Sequence, residues 1–418
     1  MRIGILGAGV AGLATAYFLR GSGRSVEIHE AADTTGGLAR SFRWNGFDCD
    51  LGPHRLYTDD AEVLDEIGGL TALNRVRRHS RIHVQGRWLR DPVSAPEVLV
   101  KFPPRVSARI IASYLTRPRE SQFAADECLD GLALARYGSG LNELFFKPYS
   151  EKLFGIPAGE IAASWGRRKL RLASWRDHLR RNGRLRFRHF YYPAQGGYGA
   201  ICAALCDALR PVVRLQSRLV AIRRLADAGY RCEFERPGGT GVEEFDCVVS
   251  TLPVSYFAGL LGLNTSLRFR PLRLTYLLVK RARVSENHWI YFIDRDFVVN
   301  RVAEFKNFAP AGVGLPSDRT VLCCESTDLR EYSVGRVVDE LGRAGLARVG
   351  DVLDSKVIDL PQGYPIFDRA YEHEMARIER LFVDHPNVRL VGRNARFAHL
   401  DVDEVFAEAR RVAREMMV

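Results

Sequence analysis

Residues 2–30 combine an apolar strand, a glycine-rich turn, a helix and a second strand in one short stretch. Residues 2–6 predict a buried strand, residues 13–19 a helix and residues 25–29 a second strand. Two strands separated by one helix are typical of proteins in which helices pack on a parallel sheet. The sequence therefore predicts an α/β fold at the start of the chain.

Three glycines in the first turn have the spacing Gly7, Gly9 and Gly12. Gly7 permits the tight turn, Gly9 lets the backbone approach a pyrophosphate, and Gly12 lets the helix pack closely on the strand. A phosphate would lie at the helix N-terminus, where free N–H groups and the helix dipole favour an anion. Glu30 ends the second strand, where its carboxylate can accept hydrogen bonds from the ribose hydroxyls of a nucleotide. This pattern predicts a Rossmann-type dinucleotide-binding domain.

The residues that follow Glu30 favour FAD over NAD. A short spacer, a Gly-Gly pair ending at Gly37 and the dipeptide Arg40-Ser41 resemble the FAD-binding signature of the glutathione-reductase-like flavoproteins. Gly37 would allow the backbone to pass close to the flavin, and Arg40 would place a positive charge near the pyrophosphate. An ordinary loop with a solvated arginine is the alternative.

The charge of the chain is concentrated in one segment. The 418 residues carry a formal net charge of +11, with 61 Lys+Arg against 50 Asp+Glu. Residues 164–190 hold nine arginines and one lysine against a single aspartate. Guanidinium groups grip phosphate oxygens in pairs, so we expect this segment to contribute to a diphosphate site. Because arginine predominates over lysine throughout the chain, only the clustering is informative.

The composition excludes several classes of protein. A chain with 46% hydrophobic and 27% charged residues is globular rather than disordered, and its length predicts two or three domains. No run of eighteen apolar residues predicts a membrane-spanning helix. Eight scattered cysteines without a CxxC pair indicate free thiols and a cytoplasmic protein. We expect no metal site.

Five segments, in order along the chain, resemble UDP-galactopyranose mutase and the wider group of mutase-like FAD proteins. They are residues 52–59, 143–155, 300–308, 364–366 and 392–403. The resemblance implies an α/β fold in which a discontinuous Rossmann-type FAD domain carries a helical insertion and a second, mainly antiparallel sheet. The predicted boundaries are 1–75 with 191–255 and 356–418 for the FAD domain, 76–190 for the mainly helical domain and 256–355 for the sheet domain.

The resemblance also implies an activity. In that family N5 of reduced FAD attacks the anomeric carbon of a nucleotide sugar and displaces the diphosphate, and the sugar re-closes in the other ring size without net redox. FAD in its reduced form is therefore the expected cofactor, with NAD(P)H as a candidate reductant. The expected partner is a nucleotide-diphosphate sugar of carbohydrate biosynthesis. We expect neither nucleic acid nor an integral membrane segment, and a homo-oligomer is a candidate assembly.

The family pattern assigns roles to individual residues. The implied catalytic residues are His54, Arg171, Arg301 and His399. The implied substrate-binding residues are Phe154, Arg168, Arg171, Arg301 and Ser326. Besides Gly7, Gly9, Gly12, Glu30, Gly37 and Arg40, the implied cofactor-binding residues are Gly52, Pro53, Val220, Gly392, Arg393, Asp401 and Val402.

Several positions depart from the family pattern. Ser326 and His399 stand where the mutases have tyrosines that position the diphosphate, and Phe154 stands where a tryptophan is usual. Residues 191–199 resemble instead the entry to a helix in amine-oxidase and desaturase-like flavoproteins. These departures leave the identity of the sugar open.

Two other functions remain as alternatives. The first is a true FAD-dependent oxidoreductase that takes a hydride from a sugar, an amine or an isoprenoid. The second is a non-catalytic or nucleic-acid-binding role for the arginine-rich segment, for which the sequence offers no recognised motif. Activity that depends on a reduced flavin would distinguish the mutase from the oxidoreductase.

Overall fold

The computed structural model describes residues 1–118, 128–169, 188–209, 212–308 and 315–417. In chain order its strands are β1 (Arg2–Leu6), β2 (Ser25–His29), β3 (Ser41–Trp44), β4 (Phe47–Asp50), β5 (Leu73–Arg77), β6 (Ser80–Val84), β7 (Arg87–Arg90), β8 (His189–Pro193), β9 (Val213–Arg214), β10 (Arg218–Arg224), β11 (Tyr230–Arg236), β12 (Gly239–Phe245), β13 (Cys247–Ser250), β14 (Phe269–Val279), β15 (Trp289–Phe292), β16 (Val299–Glu304), β17 (Thr320–Ser326), β18 (Val352–Pro365) and β19 (Val388–Leu390).

The helices lie between these strands. They are α1 (Val10–Leu19), α2 (Ala61–Leu70), α3 (Ala95–Lys101), α4 (Pro104–Leu115), α5 (Leu129–Leu141), α6 (Lys147–Phe154), α7 (Ala163–Lys169), α8 (Ala200–Ala208), α9 (Val254–Leu260), α10 (Val334–Arg343), α11 (Tyr371–Val383) and α12 (Val402–Met417). Short 3-10 or π turns occur at Gly37–Ala39, Asn142–Phe146, Phe305–Asn307 and Val349–Asp351. Within the ranges above, no helix is both long and apolar enough to cross a bilayer.

The first sheet is parallel and is assembled from distant parts of the chain. Its strand order is β19-β13-β1-β2-β9, and each neighbouring pair runs in the same direction. The turn after β1 depends on glycine, because Gly7 has φ +101° and a Cβ on Gly12 would lie 2.0 Å from the Gly7 carbonyl oxygen. The predicted strand, turn, helix and strand are all present.

The second sheet is mainly antiparallel. Its order is β18-β14-β17-β16-β15-β6-β7, and within it only β15 and β6 pair in parallel. One hydrophobic cluster joins the two sheets, since it contains Ile5 and Leu13 from the first unit and Leu274 from β14. The predicted fold class is confirmed.

The second sheet extends beyond residues 256–355, the predicted sheet domain, because β6, β7 and the end of β18 also belong to it. Strands β6 and β7 of the predicted mainly helical domain pair onto the edge of β15. Ile82 and Val84 on β6 are buried in a hydrophobic cluster with Val98 of α3 and Ile110 of α4, which favours this position of the strand. Strand β18 crosses residue 356 without interruption and pairs with β14 along its length.

A buried carboxylate ties β4 to the segment that precedes α8. The Asp50 side chain accepts hydrogen bonds from Ser41 Oγ (2.6 Å), Tyr192 Oη (2.8 Å) and the backbone N–H of Tyr198 (2.8 Å). Asp50 is completely buried, and burial raises the pKa of this carboxyl to about 6. The network positions the loop that begins at Gly52, because only Leu51 separates this loop from Asp50 and the Gly52 N–H donates to the Asp50 carbonyl at 2.9 Å.

Replacing Asp50 by alanine removes the acceptor for three buried donors. We expect Asp50→Ala to lower the free energy of unfolding by about 3–5 kcal/mol, since each buried donor left unpaired costs about 1–3 kcal/mol. Urea denaturation followed by circular dichroism measures this change. Asp48→Ala on the same strand is the control, because Asp48 is paired with the exposed Arg43 and such pairs contribute little. Equal losses in the two variants would contradict the assigned role of Asp50.

Candidate functional site

A single cavity of about 840 Å³ extends from the turn after β1 to the inner face of the second sheet. This volume lies within the range usual for sites that bind cofactors and small ligands. The predicted site residues that line it are Gly7, Gly9, Glu30, Gly37, Arg40, Gly52, Pro53, His54, Arg301, Gly392, Arg393, His399, Asp401 and Val402. Residues from widely separated parts of the sequence therefore meet around one space.

The end of the cavity beside α1 fits the diphosphate of a dinucleotide. Gly9 is the N-cap of helix α1 and offers no side chain to cap it, and the first turn of the helix has no acidic residue. The N-terminus of α1 can therefore accept an anion. Gly37 lies against Gly9, and a Cβ on Gly37 would be 3.2 Å from the Gly9 Cα. Arg40 lines the same end and donates to the Gly37 carbonyl at 3.3 Å. These features fit FAD.

Glu30 supports this end in a way that the sequence did not predict. Its carboxylate accepts the backbone N–H groups of Ala8 (2.8 Å) and Ala32 (2.9 Å). The side chain therefore holds the glycine-rich turn in place. Each carboxylate oxygen still has a second lone pair for a ribose hydroxyl.

Two predicted cofactor residues lie outside the cavity wall. Gly12 packs against the Gly7 carbonyl and has a structural part in the turn. The Val220 side chain is 37% exposed, and its neighbour Leu219 lines the cavity instead. The Leu219 carbonyl accepts a hydrogen bond of 2.6 Å from the hydroxyl of Tyr256, which also lines the cavity.

The other end of the cavity is rich in guanidinium groups. We call this end the inner chamber and define it by His54, Arg55, Arg301, Glu325 and Arg393, all of which line the cavity. Arg301 Nε and Nη2 each donate to a carboxylate oxygen of Glu325 at 2.7 Å. Burial by itself lowers the pKa of Arg301, but the Glu325 carboxylate raises it well above its ordinary value. Arg301 is therefore a fixed cation, held at Nε and Nη2 by Glu325.

The approach of the Gly52 loop to this ion pair requires glycine. Gly52 has φ +83°, and a Cβ at this position would lie 2.6 Å from Glu325 Oε1. The next residues of the loop, Pro53 and His54, also line the cavity. The loop and the ion pair are thus in direct contact.

His54 is neutral in this chamber. Burial, followed by the positive charges of Arg301 and Arg393, lowers the pKa of its imidazole to about 4. Its Nδ1 lies 3.0 Å from the Gly52 carbonyl oxygen, which can only accept, so Nδ1 carries the proton and Nε2 is an acceptor. The ring also stacks on Tyr198 with centroids 5.3 Å apart.

Tyrosines form much of the remaining wall. Tyr149 packs edge-on against Tyr291, with ring centroids 5.9 Å apart, and the guanidinium of Arg393 lies 5.2 Å from the Tyr364 ring. His399 stacks on Tyr364 with centroids 6.3 Å apart. Burial raises the pKa of Tyr364 to about 12 and that of Tyr149 well above its usual value. These phenols are therefore protonated donors at neutral pH.

Sequence reasoning missed Arg55, Tyr149, Tyr291 and Glu325 as site residues. Glu325 is next to the predicted Ser326, but every residue of β17 is buried, so the alternation of the strand does not show which side chain faces the cavity. The available signal was that Glu325 is the one charged residue in the otherwise uncharged strand β17, which indicates a buried partner or a site. Tyr291 comes opposite Arg301 only through the pairing of β15 with β16.

Four predicted substrate residues do not contribute described side chains to the cavity. Phe154 is buried, and its ring packs edge-on against Trp165 with ring centroids 4.9 Å apart. Trp165, not Phe154, lines the cavity. Ser326 is fully buried in β17. Arg171 lies outside the described residues, and of Arg168 only the backbone, in α7, is described. The arginine-rich segment as a binding element therefore stays a prediction.

Comparison with known proteins gives both a full-length relative and similar folds. A Klebsiella pneumoniae protein named as a UDP-galactopyranose mutase is 24% identical over 427 aligned residues, which cover 99% of this chain and 94% of that protein. A solved structure of reduced UDP-galactopyranose mutase superimposes with a TM-score of 0.84 at 19% identity, covering 100% of this chain and 95% of the other. Cyclohexylamine oxidase from Brevibacterium oxydans gives a TM-score of 0.70 at 15% identity, with 100% and 99% coverage.

A family model described as flavin containing amine oxidoreductase matches residues 10–286, which is more than half of the chain. The predicted resemblance to UDP-galactopyranose mutase and to the amine-oxidase flavoproteins is confirmed. The description of the family names a flavin, in agreement with the FAD fit at the α1 end of the cavity. The chain therefore belongs to the flavin-containing amine oxidoreductase family.

Proposed function

We propose that this protein is a mutase-like flavoenzyme that interconverts the pyranose and furanose forms of a nucleotide-diphosphate sugar without net redox. The observation that carries the proposal is the charge of the inner chamber. Among the described residues that define the chamber are three guanidinium groups, those of Arg55, Arg301 and Arg393, and one carboxylate, that of Glu325, while the Asp401 carboxylate also lines the cavity. A departing diphosphate needs such fixed positive charge, because charge that develops in the transition state is best stabilised by groups already in place.

The same charge disfavours an amine as substrate. An alkylamine is a cation at neutral pH, and it would enter a chamber in which burial, together with the nearby arginines, lowers the pKa of His54 to about 4. The relative that aligns with nearly the whole chain is named as a UDP-galactopyranose mutase, which also supports an anionic sugar substrate.

The chain's own residues would perform the following roles. Arg301, held by Glu325, and Arg393, whose Nε is buried without a partner in the described part of the chain, would stabilise the diphosphate. The protonated phenols of Tyr149 and Tyr364 would donate to substrate oxygens, and neutral His54 would accept at Nε2. When bound, reduced FAD supplies the nucleophilic N5 for the anomeric carbon. The enclosing walls align the reacting groups, which is catalysis by positioning.

The wider setting of this activity is part of the proposal. Such an enzyme would act in carbohydrate biosynthesis in the cytoplasm and would need an external reductant for its flavin, for which NAD(P)H is the candidate. An oxidoreductase is the second candidate function, favoured by the match to the amine oxidoreductase family.

An activity assay with reduced and oxidised flavin separates the two candidate functions. The flavin-loaded protein, reduced anaerobically with dithionite, is incubated with UDP-, dTDP- and GDP-hexoses and with the matching hexuronates, and the products are separated by chromatography. We expect one of these sugars to be isomerised only when the flavin is reduced. Stoichiometric bleaching of the oxidised flavin by one of the sugars, without isomerisation, would instead support the oxidoreductase.

A substitution of Arg301 tests its role as a fixed cation. We expect Arg301→Lys to retain flavin but to lose about 100-fold in kcat/KM, because lysine keeps the charge and loses the paired geometry of the guanidinium. The control is Arg273→Lys, since Arg273 makes a similar paired contact with Asp359 at 2.6 and 2.8 Å on an exposed part of the same sheet. Equal kcat/KM values for the two variants would remove Arg301 from the site.

A further inference from the structure

Arg55 is a cavity residue to which the family pattern gives no role. It follows His54 in the Gly52 loop and lines the inner chamber. Its guanidinium carbon lies 4.7 Å from the centre of the Trp289 ring and 5.2 Å from that of Tyr57. The side chain is thus held against two aromatic faces at the wall of the chamber.

The charge of Arg55 is not balanced by a carboxylate. Its Nε is buried without a hydrogen-bond partner, and no ion pair of Arg55 exists in the part of the chain that the structure describes. Its neighbours differ, because Arg78 is paired with Asp91 and Arg301 with Glu325. Arg55 is half-buried, and aromatic faces compensate such a cation only in part, so a guanidinium without an ion pair among the described residues fits an anionic ligand at the cavity wall.

Arg55 contributes to the positive charge of the chamber, but the contacts with the diphosphate are assigned to Arg301 and Arg393. Arg393 stacks on Tyr364, whereas Arg55 stacks on Trp289 and Tyr57, so the two share no aromatic partner. Both nevertheless act on the same imidazole, since Arg301, Arg393 and Arg55 all disfavour the charged form of His54. Because His54, Arg55 and Arg393 line the same cavity, one substrate in the inner chamber can reach both cations.

We infer that Arg55 is a specificity-determining residue that binds a carboxylate on the sugar, and that the substrates are nucleotide-diphosphate uronic acids. A carboxylate is a compact anion that a hexose can carry at C6, and its two oxygens match the fork of a guanidinium. The inference rests on the proposed function, because it assumes that a nucleotide sugar occupies the inner chamber.

The test is a binding measurement on the flavin-loaded protein with two matched pairs of probes. UDP-galacturonate is compared with UDP-galactose, and UDP-glucuronate with UDP-glucose, by isothermal titration calorimetry. Within each pair the sugars differ only in the carboxylate. We expect the acid of at least one pair to bind about 10- to 100-fold more tightly, as a charge-assisted hydrogen bond would produce.

Substitutions of Arg55 test whether this residue causes the tighter binding of the uronic acids. We expect Arg55→Met to reduce the preference to less than about 3-fold and Arg55→Lys to retain part of it, because lysine keeps the charge without the fork. Arg273→Met removes one exposed positive charge from the same chain and should keep the full preference. Bound flavin, measured by absorbance, shows that each variant is folded.

Three results would overturn the inference. Equal affinities within both pairs in the unmodified protein would do so while leaving the proposed function intact. An unchanged preference in Arg55→Met, with a shifted midpoint potential of the flavin, would mean that Arg55 serves the reduced cofactor instead. Failure of all four sugars to bind would contradict the inference, and failure of the UDP-, dTDP- and GDP-sugars alike would contradict the proposed function as well.

Discussion

The buried ion pair between Arg301 and Glu325 determines most of the site. Two hydrogen bonds of 2.7 Å hold the guanidinium in one orientation between neighbouring strands of the second sheet. The pair also explains the conformation of the loop above it, since only glycine at position 52 can approach the carboxylate so closely. Breaking such a pair would leave a charge buried and uncompensated, which is costly. The position of His54 and the potential of the inner chamber both depend on this contact.

More of the fold than of the site could be predicted from the sequence. Gly7, Gly9, Gly12 and Glu30 carry a pattern whose physical meaning is local, so strand, turn, helix and strand followed from a few adjacent residues. The second sheet was also expected, but not the addition of β6 and β7 to its edge. Pairing between strands that are two hundred residues apart is decided by tertiary packing, which a single sequence does not display.

The site residues also differ in whether local sequence motifs or tertiary packing bring them to the cavity. His54, Arg301 and Arg393 lie in motifs that resemble a known family, and the structure brings them to one cavity. Glu325 and Tyr291 reach the chamber only through strand register, and β17 is buried on both faces, so neither stood out in the sequence. Arg55 was visible as a residue but not as an unpaired charge, because pairing is a property of the folded chain. Conversely, Phe154 and Ser326 were chosen by position and are packed away from the cavity.

The central claim is that the inner chamber binds an anion rather than a cation. The most direct measurement is the binding of UDP and of cyclohexylamine to the flavin-loaded protein by calorimetry at low and at high salt. The account predicts that UDP binds, that its affinity falls as salt screens the arginines, and that the amine does not bind. Binding of the amine together with no binding of UDP would contradict it.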